Sequence, residues 1–218
     1  MSAGHFLDLD HWPRRGIYQL FRTYEQPFFS ITAEVAVTRT RHWCAEQEQP
    51  FGLACWYMVL RAVNAVEEFR HRLRPEGVWV HHRLRVSATV PGEGGAFRFC
   101  HFPDATDFPA FLAGAREAMA APDPTGGAAL DDRPHDDATI HGSVLPWIRF
   151  TGVVNPRRHD PLDSVPKIVL GRCTAGPQEL IIPIAVDAHH ALVDGRHVAH
   201  LLEQLTVDFA RPEEVLHD

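Results

Sequence analysis

Apolar residues recur along this chain at two periods, and their alternation outlines a sheet with helices laid on it. Between residues 50 and 73, Leu53, Trp56, Tyr57, Leu60, Val63, Ala65, Val66 and Phe69 follow at three- and four-residue steps, the pattern of a buried amphipathic helix. A second helix is expected after Thr106, with Asp107 in its first turn and Phe108, Phe111, Leu112 and Ala115 on its apolar side. Runs rich in β-formers predict strands at 28–37, 78–80, 84–90 and 96–102, with Pro91-Gly92-Glu93-Gly94-Gly95 as the turn between the last two. Strand signals resume at 147–154 and 167–170. The last apolar run, Leu180-Ile181-Ile182-Pro183-Ile184-Ala185-Val186, precedes a helix expected over 196–209. Strands and helices intermingle without a strict strand–helix–strand beat, which predicts a mixed sheet with helices packed on it, either α+β or layered α/β.

Length and composition narrow this picture. The 218 residues suit one domain spanning 1–218, and 45% hydrophobic residues suffice for a real core. Residues 121–137 are rich in Pro, Gly and Asp and are expected to form a long loop inside that domain. The formal charge is −7, with no dense Lys/Arg run, which argues against a nucleic-acid surface. No apolar stretch reaches the roughly 18 residues needed to span a bilayer. The first residues lack the basic and apolar regions of a secretory leader, so a cytoplasmic protein is expected. Cys44, Cys55, Cys100 and Cys173 are widely spaced, with no Cys-x-x-Cys pair. Fifteen histidines occur without a His-Glu-x-x-His or Cys/His cluster, so no metal site is expected. The pair His81-His82 is expected at the surface.

One stretch carries chemistry. His189-His190-Ala191-Leu192-Val193-Asp194-Gly195 follows the last apolar run directly. A histidine at the lip of a buried strand has a fixed backbone and one ring face free for a cleft, and its ordinary pKa suits proton transfer near neutral pH. Asp194-Gly195 suits a tight turn into the following helix. His189 is expected to support the strand end, and His197 and His200 to be structural or exposed.

The stretch from His189 to Val198 resembles the signature of the chloramphenicol acetyltransferases, within the CoA-dependent acyltransferase superfamily. The resemblance continues along almost the whole chain, in Trp12-Pro13-Arg14-Arg15, in the aromatics Tyr18 and Phe21, and in the fourteen-residue spacing of Phe97 and Phe111. It continues in Ser143-Val144-Leu145-Pro146-Trp147 and in residues 166–172. It implies a two-layer α/β sandwich, a mixed β-sheet covered by helices. It implies acetyl transfer from acetyl-CoA, a cosubstrate, to a hydroxyl of a small molecule, chloramphenicol or a more polar relative, with no metal or bound redox cofactor. His190 would be the general base. Ser143 would donate to the tetrahedral oxyanion, an effect that can be worth about 3 kcal/mol of barrier. Asp194 would pair with Arg14 and hold the turn that aims His190. Phe21, Phe29, Phe97, Leu130 and Asn155 would line the acceptor pocket, and Val169, Arg172 and Cys173 the CoA side. The family forms homotrimers with active sites between subunits, so His190 would face Phe21, Phe29 and Phe97 of a neighbouring chain.

The chain departs from the resistance enzymes at several of these positions. Val169 replaces a threonine that helps a water solvate the transition state, Cys173 replaces a tyrosine that packs near the adenine of CoA, and Leu130 replaces an aromatic. Asn155 and Arg157 stand at apolar pocket positions, and such polar groups favour a more polar acceptor, since desolvating them unpaired is costly. Two alternatives stand beside antibiotic resistance: a biosynthetic acyltransferase using another acyl-CoA or a carrier-bound thioester, and an inactive binding or scaffold homologue.

Overall fold

A computed structural model describes residues 3–92, 95–122, 137–157 and 159–217. The elements run β1 (Gly4–Phe6), α1 (Arg15–Phe21), β2 (Phe28–Ala36), α2 (Thr38–Glu46) and α3 (Phe51–Ala65). A 3-10 turn (Glu67–Arg70) leads to β3 (His71–Arg74), β4 (Gly77–His81), β5 (Arg85–Pro91), β6 (Phe97–Phe102) and α4 (Phe108–Ala120). The chain closes with β7 (Thr139–Leu145), β8 (Lys167–Gly171), β9 (Thr174–Ala175), β10 (Leu180–His189), α5 (Gly195–Ala210) and α6 (Pro212–Val215). The main sheet has the order β2-β10-β8-β7-β5-β6, with β9 beside β10. It is mixed: β5–β7 and β7–β8 are parallel and the other pairs antiparallel. A small sheet, β1-β4-β3, stands apart from it. The expected α/β fold, a mixed sheet with helices on it, is what forms.

The two faces of the main sheet differ, and the difference places the site. Ile182, Ile184, Val186 and Ala188 of β10 join one large core with Ile168 and Leu170 of β8 and the apolar stripes of α3, α4 and α5. Burying each such side chain contributes roughly 1.5–3 kcal/mol, more than the roughly 1 kcal/mol net of a hydrogen bond, so apolar burial holds the helices down. At Gly142 of β7 the indole of Trp56 comes so close that a Cβ would lie 2.4 Å from it. Residue 142 thus faces α3, and its neighbour Ser143 faces the other way. On that opposite face the described residues form a smaller buried apolar group, Val169 and Ala185 under Phe150. Ser143, Asp187 and His189 share it by alternation.

Several expectations are corrected. The long helix ends at Ala65, because Val66 turns extended (φ −102°, ψ 106°). The apolar period runs on only because the 3-10 turn keeps Phe69 buried. Arg72 of β3 is fully buried, and its guanidinium donates to the carbonyls of Phe69, His71, Asp137 and Thr139 at 2.6–2.8 Å. Residues 147–154 form no strand; Phe150 and Val153 instead cover Val169 and Ala185. The strand here is β7, whose polar centre hides its period. His81 is buried, with Nε2 3.0 Å from Asp137 Oδ1, while His82 is exposed. The segment 121–137 falls almost entirely outside the described residues.

Buried histidines make the fold acid-sensitive. Burial, helped by neighbouring cations, pushes His71 down to about 3 and both His141 and His189 down to about 4. All three have folded pKa values below the unfolded value of about 6.5, so the unfolded chain takes up protons first as pH falls. This contribution to stability is lost progressively as pH falls from above about 6.5 to about 3. Asp208, raised by burial, works in the opposite direction but is a single group. Thermal melts at pH 7.5 and pH 5 are expected to show a lower Tm at pH 5; an equal or higher Tm would contradict the buried neutral histidines.

Candidate active site

The histidine stretch is built where β10 leaves the ladder. His189 still pairs with Phe28 of β2, and the N–H of His190 then donates to the carbonyl of Pro27 at 2.8 Å. The backbone N–H groups of Leu192 and Val193 both donate to the carbonyl of His189, closing a tight turn. The buried ring of His189 braces that turn: its Nδ1 accepts from the N–H of Ala191 at 3.1 Å. The His190 Nδ1 lies 3.2 Å from the carbonyl oxygen of Val193. A carbonyl can only accept, so Nδ1 carries the hydrogen, and in the neutral ring Nε2 is the nitrogen that bears the lone pair. Phe21 stacks on the ring (centroids 4.0 Å, planes 19° apart), and Phe29 leans on it at 4.8 Å. The half-buried imidazole is therefore fixed in orientation and tautomer.

Asp194 starts α5 as its N-cap, accepting from the N–H of Arg196 at 3.0 Å, while His197 Nδ1 accepts from the N–H of Asp194 at 3.1 Å. This reciprocal pair satisfies free donors of the first helical turn. The guanidinium of the buried Arg14 donates to Asp194 Oδ2 and, at 3.2 Å, to the carbonyl of His190 itself. Burial raises the Asp194 pKa, but His197 and Arg14 outweigh it, and the carboxyl ends below its usual value. Arg14 thus ties the N-terminus of α1, which bears Phe21, to the turn that bears His190. Arg14→Met takes the buried guanidinium from the partly buried Asp194 carboxylate, and breaking such a pair costs about 2–4 kcal/mol. A Tm lower by roughly 5–15 °C is expected for a chain of this size. An unchanged melt would show that the pair carries no stability.

Ser143 sits elsewhere. Its Oγ lies 3.0 Å from Thr89 Oγ1, and across the ladder it aligns with Val169, which aligns with Ala185. His190 is five residues beyond Ala185 on β10 and two strands from β7. That separation amounts to about 16 Å along the strands and about 10 Å across them. His190 and Ser143 therefore do not meet within one chain. Phe97, half exposed on the edge strand β6, also stands away from His190, while Asn155 Nδ2 donates to Oδ2 of Asp187, three residues before His190, at 3.3 Å. Exposed Arg172 and half-buried Cys173 follow β8, and burial raises the Cys173 thiol. Leu130 lies outside the described residues.

Two expectations change. Phe21 and Phe29 touch the His190 of their own chain: β2 pairs with β10 in a register that sets Phe29 against Ala188, and Arg14, at the start of α1, holds the helix that ends in Phe21 against the carbonyl of His190. Arg157 is not free to polarise a pocket. It donates to Asp187, to Asp163 at 3.4 Å and to the carbonyl of Val165 at 2.7 Å, and it lies 3.7 Å over the Phe28 ring. Sequence reasoning missed Thr89 and the carbonyls of Pro27 and Val193. The carbonyls leave no side-chain signal, and Thr89 is one β-branched residue in an ordinary strand. Among the described residues no group of three or more His, Cys, Asp or Glu could hold a metal ion, and no helix is long and apolar enough to cross a membrane.

Known proteins match this arrangement along most of their length. The sequence profile of the chloramphenicol acetyltransferase family matches residues 4–206. A chloramphenicol acetyltransferase of Streptomyces acrimycini is 31% identical over 211 residues, covering 94% of each chain. Chloramphenicol acetyltransferase 2 of Haemophilus influenzae is 27% identical over 91% of this chain and 93% of its own. A solved chloramphenicol acetyltransferase superposes with a TM-score of 0.87 at 28% identity, over 95% of this chain and 99% of that one. The cubic core of a pyruvate dehydrogenase multienzyme complex superposes at 0.63 with 14% identity, which shows the shared fold alone. Fold and site together define an acetyl-CoA-dependent acetyltransferase. The chain belongs to the chloramphenicol acetyltransferase family.

Proposed function

We propose that the protein transfers the acetyl group of acetyl-CoA to a hydroxyl of an amphipathic small molecule, chloramphenicol or a more polar relative, at a site completed by a second copy of the chain. The observation that carries this reading is the state of His190. Its Nδ1–H is committed to the carbonyl of Val193, and its ring is clamped by Phe21 and Phe29. Nε2 is then the atom that takes the proton of the acceptor hydroxyl as the oxygen attacks the thioester carbonyl. The new C–O bond places negative charge on the former carbonyl oxygen, and Ser143 of another copy donates to it. Collapse of this adduct breaks the C–S bond and expels the CoA thiolate, which the His190 imidazolium protonates. Arg14 and Asp194 position this machinery and do not touch the reacting atoms. Arg172 and Val169 are assigned to the CoA side, with Cys173; Phe97 and Asn155 are assigned to the acceptor side, with Leu130. The homotrimer is the assembly that the family resemblance supports, and the whole of 1–218 acts as one domain within it.

The test is acetyl transfer from acetyl-CoA, read as thiol release, to chloramphenicol and to a panel of polar alcohols and amines. The expected result is at least one alcohol with kcat/KM of about 10⁴ M⁻¹s⁻¹ or above. Thiol release that no hydroxyl compound accelerates contradicts the proposal.

A further inference from the structure

The open face of the main sheet carries a row of side chains set side by side by the ladder. Thr89 pairs with Phe99, and Ser143 aligns with Val169 and then Ala185. Ala88 and Gly142, the preceding residues of β5 and β7, pair with each other and face the helices. Thr89 and Ser143 consequently stand next to each other on the opposite face. The row reads Phe99, Thr89, Ser143, Val169, Ala185: two hydroxyls with apolar neighbours on both sides. The two hydroxyl oxygens are 3.0 Å apart.

We propose that Thr89 is a positioning residue for the acetyl transfer: its hydroxyl donates to Ser143 Oγ and so frees the Ser143 hydrogen for the oxyanion. The proposal rests on the assignment of Ser143 as the oxyanion donor. A hydroxyl has one hydrogen. If Ser143 gave its hydrogen to Thr89, none would remain for the charge that develops on the acyl oxygen. With Thr89 as donor, Ser143 accepts on one side and donates on the other. The chain of two hydrogen bonds then strengthens as the terminal oxygen becomes negative. No proton changes hands between the two residues. Thr89 suits the task because a β-branched side chain in a strand has a restricted χ1, which holds Oγ1 toward its neighbour. Val169, on the other side of Ser143, offers neither donor nor acceptor, so within this row the orientation of the Ser143 hydroxyl falls to Thr89.

The experiment compares Thr89→Val, Thr89→Ser and Ser143→Ala, singly and as the double variant Thr89→Val/Ser143→Ala, using the alcohol that wild type turns over fastest in the panel. Thr89→Val keeps the shape and removes the hydroxyl. It is expected to lower kcat about tenfold with the KM for acetyl-CoA unchanged, the loss of one hydrogen bond felt in the transition state. Thr89→Ser is expected to restore most of kcat. In the Ser143→Ala background, Thr89→Val is expected to have less than a twofold further effect, because its target is gone. Full kcat in Thr89→Val while Ser143→Ala is impaired overturns the inference alone. The same tenfold loss in both backgrounds also overturns it, since Thr89 would then act by another route. Full activity of Ser143→Ala overturns the reading of Ser143 beneath it.

Discussion

Replacing His190 by Ala or Gln is expected to lower kcat roughly a hundredfold to ten-thousandfold, with the KM for acetyl-CoA little changed. General base catalysis supplies about that much, and among the described residues no second histidine packs on Phe21 or Phe29. His189, the adjacent imidazole, is buried, its Nδ1 accepts from the N–H of Ala191, and burial lowers it to about 4. The His190→Gln variant matters because it separates chemistry from packing. A glutamine keeps a planar polar group between Phe21 and Phe29, but its amide nitrogen has no lone pair that can take a proton. If the ring only filled space, Gln would retain much of the activity that Ala loses. Steady-state kinetics on both variants decides this. Comparable losses in the two, with melts near that of wild type, are expected. More than a tenth of wild-type kcat in either would remove His190 as the base.

The half of the site around His190 was legible in the chain because it is local. The apolar run of β10, the turn at Asp194-Gly195 and the amphipathic α5 lie in one continuous stretch, and cap chemistry marks the join. The helices α3 and α4 were legible for the same reason, although the apolar period overran the end of α3. What could not be read is whatever depends on pairing between distant strands. The β2–β10 register and the Arg14 anchor of α1 put Phe29 and Phe21 on the His190 of their own chain, while the β7–β8–β10 register carries Ser143 away from it. β7 itself, with His141, Gly142 and Ser143 at its centre, has no apolar alternation to reveal it. The ion pairs that neutralise Arg157 join residues that sequence spacing does not connect. α1, seven residues long, is too short to show a helical period, yet it carries Phe21 and is anchored through Arg14.

The separation of His190 from Ser143 within one chain bears on the central proposal, in which each active site would take its base from one copy and its oxyanion donor from another. Chains bearing His190→Ala retain Ser143, and chains bearing Ser143→Ala retain His190. Each variant alone places a defect in every site. In a mixed assembly, a junction where the Ser143→Ala chain supplies the histidine and the His190→Ala chain supplies the serine is intact. Random mixing of equal amounts makes about a quarter of all junctions of this kind in a cyclic assembly. The most direct measurement is therefore the specific activity of the two variants co-expressed with different tags and purified through both. Recovery of activity far above either variant alone, approaching about a quarter of wild type or more in the doubly tagged fraction, is the predicted result. Activity no greater than the sum of the two separate variants would contradict the shared site.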